Sequence, residues 1–164
     1  SWYFGGAAGH NTVQFDSRDQ MPKISRFLFG SWLRPSSISE VVDSSNGSRC
    51  SAGYIDLMGC KHERDVLLKD GSIIVLDNIS GIINKATLRW RLAHYDWEIS
   101  QTDNSVEIVS GDHSLVVSSN NGLVKGKLVD GWKSLFYTDK QPIRVLEVEI
   151  FNDGEYQTLY QWSK

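Results

Sequence analysis

The residues best suited to chemistry are gathered near the start of the chain. Tyr3-Phe4-Gly5-Gly6-Ala7-Ala8-Gly9 places small residues, which permit close backbone approach, immediately before His10-Asn11. The next residues, Thr12 to Phe15, have the composition of a strand, and polar residues continue from Asp16 to Gln20. A histidine at such a junction can sit at the rim of a groove, where a neutral imidazole can ligate a metal or carry a proton. The same spacing also suits an ordinary loop histidine satisfied by its neighbours, and spacing alone does not separate the two. His94 and His113 stand outside any such concentration and read as surface residues.

These residues need a scaffold, and the scaffold is legible as short strands divided by turns. The runs Thr12–Phe15, Arg26–Trp32, Gly53–Leu57, Asp65–Leu68 and Ser72–Asp77 read as strands in the first half. Ala86–Ala93, Trp97–Ser100, Ser105–Val109, Ser114–Ser118, Leu123–Val129, Ser134–Tyr137, Ile143–Ile150 and Gln157–Trp162 continue the series. Thr87-Leu88-Arg89-Trp90-Arg91-Leu92 alternates with period two, as a half-buried strand does. Lys69-Asp70-Gly71, Asn120-Asn121-Gly122 and Asn152-Asp153-Gly154 are hairpin punctuation, so neighbouring strands should run antiparallel. Helical periodicity is nearly absent. The expectation is an all-β fold, an antiparallel β-sandwich, with residues 1–164 as a single β-sandwich domain.

Bulk properties exclude several classes of function. Seventeen Lys and Arg against twenty Asp and Glu give a net charge of -3, and no basic run offers a phosphate-binding surface, so nucleic acid is not an expected partner. No apolar run approaches the ~20 residues needed to cross a bilayer as a helix. Cys50 and Cys60 are too few for a disulfide scaffold, and their separation fits no zinc motif; whether they pair is left open. Six Trp, six Tyr and six Phe suit strands and could also carry sugar rings, but most of the tryptophans are expected in the core and none is singled out.

Two blocks of residues together resemble a known family. His10-Asn11-Thr12-Val13, with Asp16, Asp19-Gln20 and Arg26-Phe27 behind it, is similar to the segment that opens the β-sheet domain of heparinase II/III-like polysaccharide lyases. Gly53-Tyr54, His62-Glu63-Arg64, the apolar run to Leu68, and Val75-Leu76-Asp77-Asn78-Ile79-Ser80-Gly81 follow in the family's order, with Arg89-Trp90-Arg91 on the next strand. The resemblance covers roughly residues 3 to 93. It implies a C-terminal β-domain whose partner, an N-terminal helical toroid of the same protein, lies outside this chain. Chemistry in the family is β-elimination on uronic-acid-containing polysaccharide, so an acidic polysaccharide is the implied substrate.

The resemblance also implies a zinc site of two histidines and one aspartate, here His10, His62 and either Asp16 or Asp19. Tyr54 matches the family's tyrosine between the two histidine segments and is the candidate catalytic residue, with a buried strand tyrosine as the alternative; Asn11 is the candidate substrate-binding residue. A catalytic histidine that some members carry two residues before the metal-binding one is replaced here by Ala8. The resemblance assigns most of the catalytic set to the toroid, so the isolated chain is expected to be inactive. The Asp16 to Gly30 stretch looks more like the branch found in bacterial exopolysaccharide synthesis than like glycosaminoglycan degraders, which points to a periplasmic or secreted bacterial protein. The competing reading is a noncatalytic carbohydrate-binding or architectural sandwich.

Overall fold

A computed structural model describes residues 2–25, 28–120, 122–136 and 139–163. A helical turn, α1 (Trp2–Gly5), and a 3-10 turn at Ala7–Gly9 precede thirteen strands among the described residues. They are β1 (Val13–Phe15), β2 (Arg34–Ile38), β3 (Val42–Ser44), β4 (Gly47–Ile55), β5 (Lys61–Lys69), β6 (Ser72–Ser80) and β7 (Ala86–Arg91). Then come β8 (Glu98–Gln101), β9 (Ser105–Ser110), β10 (His113–Ser119), β11 (Val124–Lys133), β12 (Gln141–Ile150) and β13 (Gly154–Trp162).

The strands form two antiparallel sheets. The smaller runs β1-β7-β12-β11; the larger has nine strands in the order β2-β4-β5-β6-β13-β10-β9-β8, with β3 also paired to β4. Period-two patterning decides which side chains meet between them. Leu88, Leu146, Val148 and Ile150 from the smaller sheet share one core with Ile79, Val106, Ile108, Leu115, Val117 and Tyr156 from the larger. The antiparallel sandwich expected from the sequence is what forms.

Local chemistry explains the turns. Lys69 pairs with Ser72, leaving Asp70-Gly71 as a two-residue loop, and Gly71 takes the positive φ of 71° that such a loop requires. On the outer face of the smaller sheet, Ile143 and Val145 are buried, and the Tyr3 hydroxyl accepts the Trp132 N–H and an Arg91 N–H, both at 3.2 Å. Gly131 makes this close approach possible, because a Cβ there would meet the Tyr3 hydroxyl and Val145. The N-terminal turn is thus pinned against β7 and β11.

Two expected strands need correction, and two others form that were not expected. The expected strand at 26–32 is not one: Arg26 and Phe27 lie outside the described residues, and Phe29 makes only an isolated bridge to Lys23. Ser31, at a φ of 50°, turns the chain away from extended geometry. Ser134–Phe136 lies in the connection after β11 with Leu135 and Phe136 exposed, while Tyr137 is outside the described residues, as is Asn121 of the expected turn at 120–122. Conversely β2 and β3 were not foreseen, since Arg34-Pro35-Ser36-Ser37-Ile38 has no apolar alternation. They form as edge strands on β4, where Pro35 is tolerated at a bulge.

Candidate functional site

The site is built where β1, β5 and β6 bring distant residues together. On β6, period two puts Val75, Asp77 and Ile79 on the core-facing side, so a carboxylate sits between two buried aliphatics. Burying it alone would be costly. The β5–β6 register sets Arg64 opposite Asp77 and His62 opposite Ile79. Arg64 then grips Asp77 through two bonds, Nε to Oδ1 at 2.7 Å and Nη2 to Oδ2 at 3.1 Å, and His62 Nε2 lies 2.6 Å from Oδ1. Asp77 is completely buried and His62 is 5% exposed.

Burial by itself would raise the Asp77 carboxyl, but the hydrogen bond from His62 and the charge and hydrogen bonds of Arg64 outweigh it and hold the group below its usual range. An ionised carboxylate only accepts, so the proton shared with His62 belongs to Nε2. The free end of Arg64 reaches further: Nη1 donates to the Asn11 carbonyl at 2.6 Å, and the guanidinium lies 4.8 Å over the Trp90 ring. The Arg64–Asp77–His62 cluster therefore holds the His10-Asn11 segment through the Asn11 carbonyl.

A second set of bonds holds the same segment from the side. Asn11 Oδ1 accepts the Arg91 N–H at 2.8 Å, which orients Nδ2 as a donor. Gln20 Nε2 donates to Thr12 Oγ1 at 3.0 Å and to the Tyr54 hydroxyl at 2.9 Å, and that hydroxyl donates to the Val13 carbonyl at 3.3 Å. Burial pushes the Tyr54 phenol up to about 12. A phenol so placed binds β1; as a general base it would need its pKa moved the other way.

His10 is exposed, with Nε2 3.1 Å from the Phe4 carbonyl. Because a carbonyl only accepts, Nε2 carries the proton in the neutral ring and Nδ1 keeps its lone pair, with no partner among the described residues. The ring borders a groove of about 210 Å³ together with Gly5, Gly6, Gln20, Met21 and Phe29. His10 thus stands at the lip of a groove, as its sequence context suggested, and Asn11 lines a neighbouring cavity.

The proposed metal ligands do not fit a shared zinc ion. Asp16 Oδ1 caps the Asn84 and Lys85 amides at 2.9 and 3.0 Å, and Asp19 Oδ1 accepts the Ala7 amide at 2.9 Å. His62 spends Nε2 on Asp77, and no three His, Cys, Asp or Glu side chains among the described residues are grouped to hold a metal. Asp77 is the aspartate that meets His62, and Arg64 already neutralises it. Sequence reasoning quoted Asp77 only as part of a motif; its place between buried Val75 and Ile79 was the signal that it needed a cation. Cys50 and Cys60 are free thiols, and Cys60 instead accepts a bond from Arg18, which also pairs with Asp56.

Comparison with known proteins agrees with the fold. The family described as heparinase II/III-like, C-terminal, matches residues 2–163. The chain belongs to the heparinase II/III-like family. Among solved structures, a heparinase III, the BT4657 gene product with methylated lysines, aligns over 97% of this chain with a TM-score of 0.68 at 15% identity. A mutant of the heparan sulfate lyase HepC from Pedobacter heparinus aligns over 94% with a TM-score of 0.68 at 16% identity. At such identity the likeness is one of fold. The chain spans 24% of the length of each of these heparinase II/III-like structures. No curated protein matches it.

Proposed function

We propose that this chain is the C-terminal β-domain of a polysaccharide lyase and supplies one lip of its substrate cleft, with His10 and Asn11 facing an acidic, uronate-containing polymer. The observation that carries the reading is the doubly braced His10-Asn11 segment, tied from below by Arg64 and from the side by Arg91 and Gln20, in a chain of the heparinase II/III-like family. Rigid support of an exposed polar pair is what a binding site needs and what a plain loop does not.

The reaction would remove the proton from C5, form the C4–C5 double bond and break the C4–O bond, with a proton going to the leaving oxygen. Developing charge beside C5 has to be stabilised, and the base and acid must lie within hydrogen-bond reach. His10 Nδ1 and Asn11 Nδ2 are the groups this chain offers; the base, the acid and the group that neutralises the uronate would come from a helical domain outside residues 1–164. The parent would act where it meets its polymer, in a bacterial periplasm or outside the cell, either degrading the polymer or editing an exopolysaccharide.

Activity of the full-length parent, followed by the ultraviolet absorbance of the unsaturated uronide, tests the reading. His10→Ala should lower turnover at least tenfold while the isolated chain gives no product. A parent that forms no unsaturated product from any uronate polymer would leave the noncatalytic carbohydrate-binding reading in its place.

A further inference from the structure

We propose that the cavity at the open end of the sandwich, between Trp90, Trp97 and Tyr160, is a saccharide subsite that takes one pyranose ring; the proposal rests on the reading of the protein as one that acts on polysaccharide. The core-facing sides of β6, β13 and β10 here front a cavity of about 260 Å³, reached past Asn11 and Ala93. Most of its wall is apolar and aromatic. Such a wall matches the C–H-rich face of a sugar ring, provided that the aromatic rings are fixed and their polar edges are already satisfied.

Both conditions hold. Trp90 Nε1 donates to Thr158 Oγ1 and Trp97 Nε1 to the Ala93 carbonyl, each at 3.2 Å, so the polar edges of both indoles are satisfied, and Arg64 fixes the Trp90 ring from one face. His113 Nδ1 lies 2.7 Å from the Tyr160 hydroxyl, with the two rings 8° from parallel and 6.0 Å between centroids. They lie edge to edge as one flat plate, and Tyr95 stacks on the His113 part at 4.8 Å. The Tyr160 part of the plate lines the cavity and Trp97, tilted 59° to His113, stands beside it. At the mouth, Asn11 Nδ2 is a donor whose orientation is set by the Arg91 amide.

Position narrows the ligand. Asn11 lines this cavity and adjoins His10, which borders the other groove, so a polymer lying along the His10-Asn11 lip could seat one unit here. Arg91 also lines the cavity, so an anionic substituent on the ring would meet a cation.

The experiment titrates the chain with a glucuronate–N-acetylglucosamine tetrasaccharide, by calorimetry and tryptophan fluorescence. The probe should bind, and Trp97→Ala should weaken it at least tenfold. Ala93→Phe, at an exposed position, should do the same by filling the cavity without removing a ring. Binding that survives Ala93→Phe in a folded variant, or no binding at millimolar ligand, would overturn the subsite. If the parent forms unsaturated product and the cavity binds nothing, the subsite alone falls. If the cavity binds as described and the parent forms no product, the subsite stands and the lyase reading falls.

Discussion

His62 Nε2 lies 2.6 Å from Asp77 Oδ1, and the carboxylate that receives it is gripped at the same time by Arg64. These two residues, on adjacent strands and fifteen positions apart, are the electrostatic centre of the site. Because Arg64 continues to the Asn11 carbonyl, a change at Asp77 should be felt at the groove lip.

Replacing Asp77 should be costly in a pH-dependent way. Asp77→Asn leaves Arg64 and His62 without their carboxylate, and breaking a buried pair costs about 3 kcal/mol. The folded-state pKa of Asp77 is depressed, so its contribution is complete above the unfolded value near ~3.9 and is lost as pH falls through the lower folded value. Urea denaturation at neutral pH and near pH 3 should show the wild-type advantage shrinking in acid; a gap that does not change with pH would contradict the assignment.

Tyr54→Phe should act on stability. The hydroxyl accepts from Gln20 and donates to the Val13 carbonyl, and losing both should cost about 1–2 kcal/mol, seen as a lower Tm. Its phenol, pushed up to about 12, keeps its proton in the folded state to higher pH than in the unfolded one. That contribution is complete below about pH 10, the unfolded value, and is lost as pH rises towards 12. Phenolate absorbance should therefore show one fewer late-titrating tyrosine in the variant.

Zinc added to the isolated chain should find no stoichiometric site. Asp16 and Asp19 each hold backbone amides through Oδ1, His62 Nε2 is taken by Asp77, and no three such ligands are grouped among the described residues, so calorimetry should show only the weak binding of isolated imidazoles. Tight one-to-one binding that disappears in both His10→Ala and His62→Ala would restore the shared site.

Gly126→Ala tests the packing between sheets. A Cβ at this position of β11 would run into the Val106 side chain, and overpacking of this kind costs about 1–3 kcal/mol. Thermal unfolding should show the loss, and because Gly126 does not adopt a positive φ the loss reports packing alone.

What the sequence determined by itself is local. Alternation in Thr87 to Leu92 and the Asp70-Gly71 turn are set by neighbouring residues, so strands and hairpins could be read directly, and the His10-Asn11 motif was found where it stands. Edge strands β2 and β3 could not be read, because pairing to β4 rather than their own pattern makes them extended. Only the tertiary structure decided which charges meet. Register between β5 and β6 gave Asp77 to Arg64 and His62, and backbone amides far along the chain claimed Asp16. A buried carboxylate takes whatever donors the fold brings within hydrogen-bond range, and sequence separation carries no information about that distance.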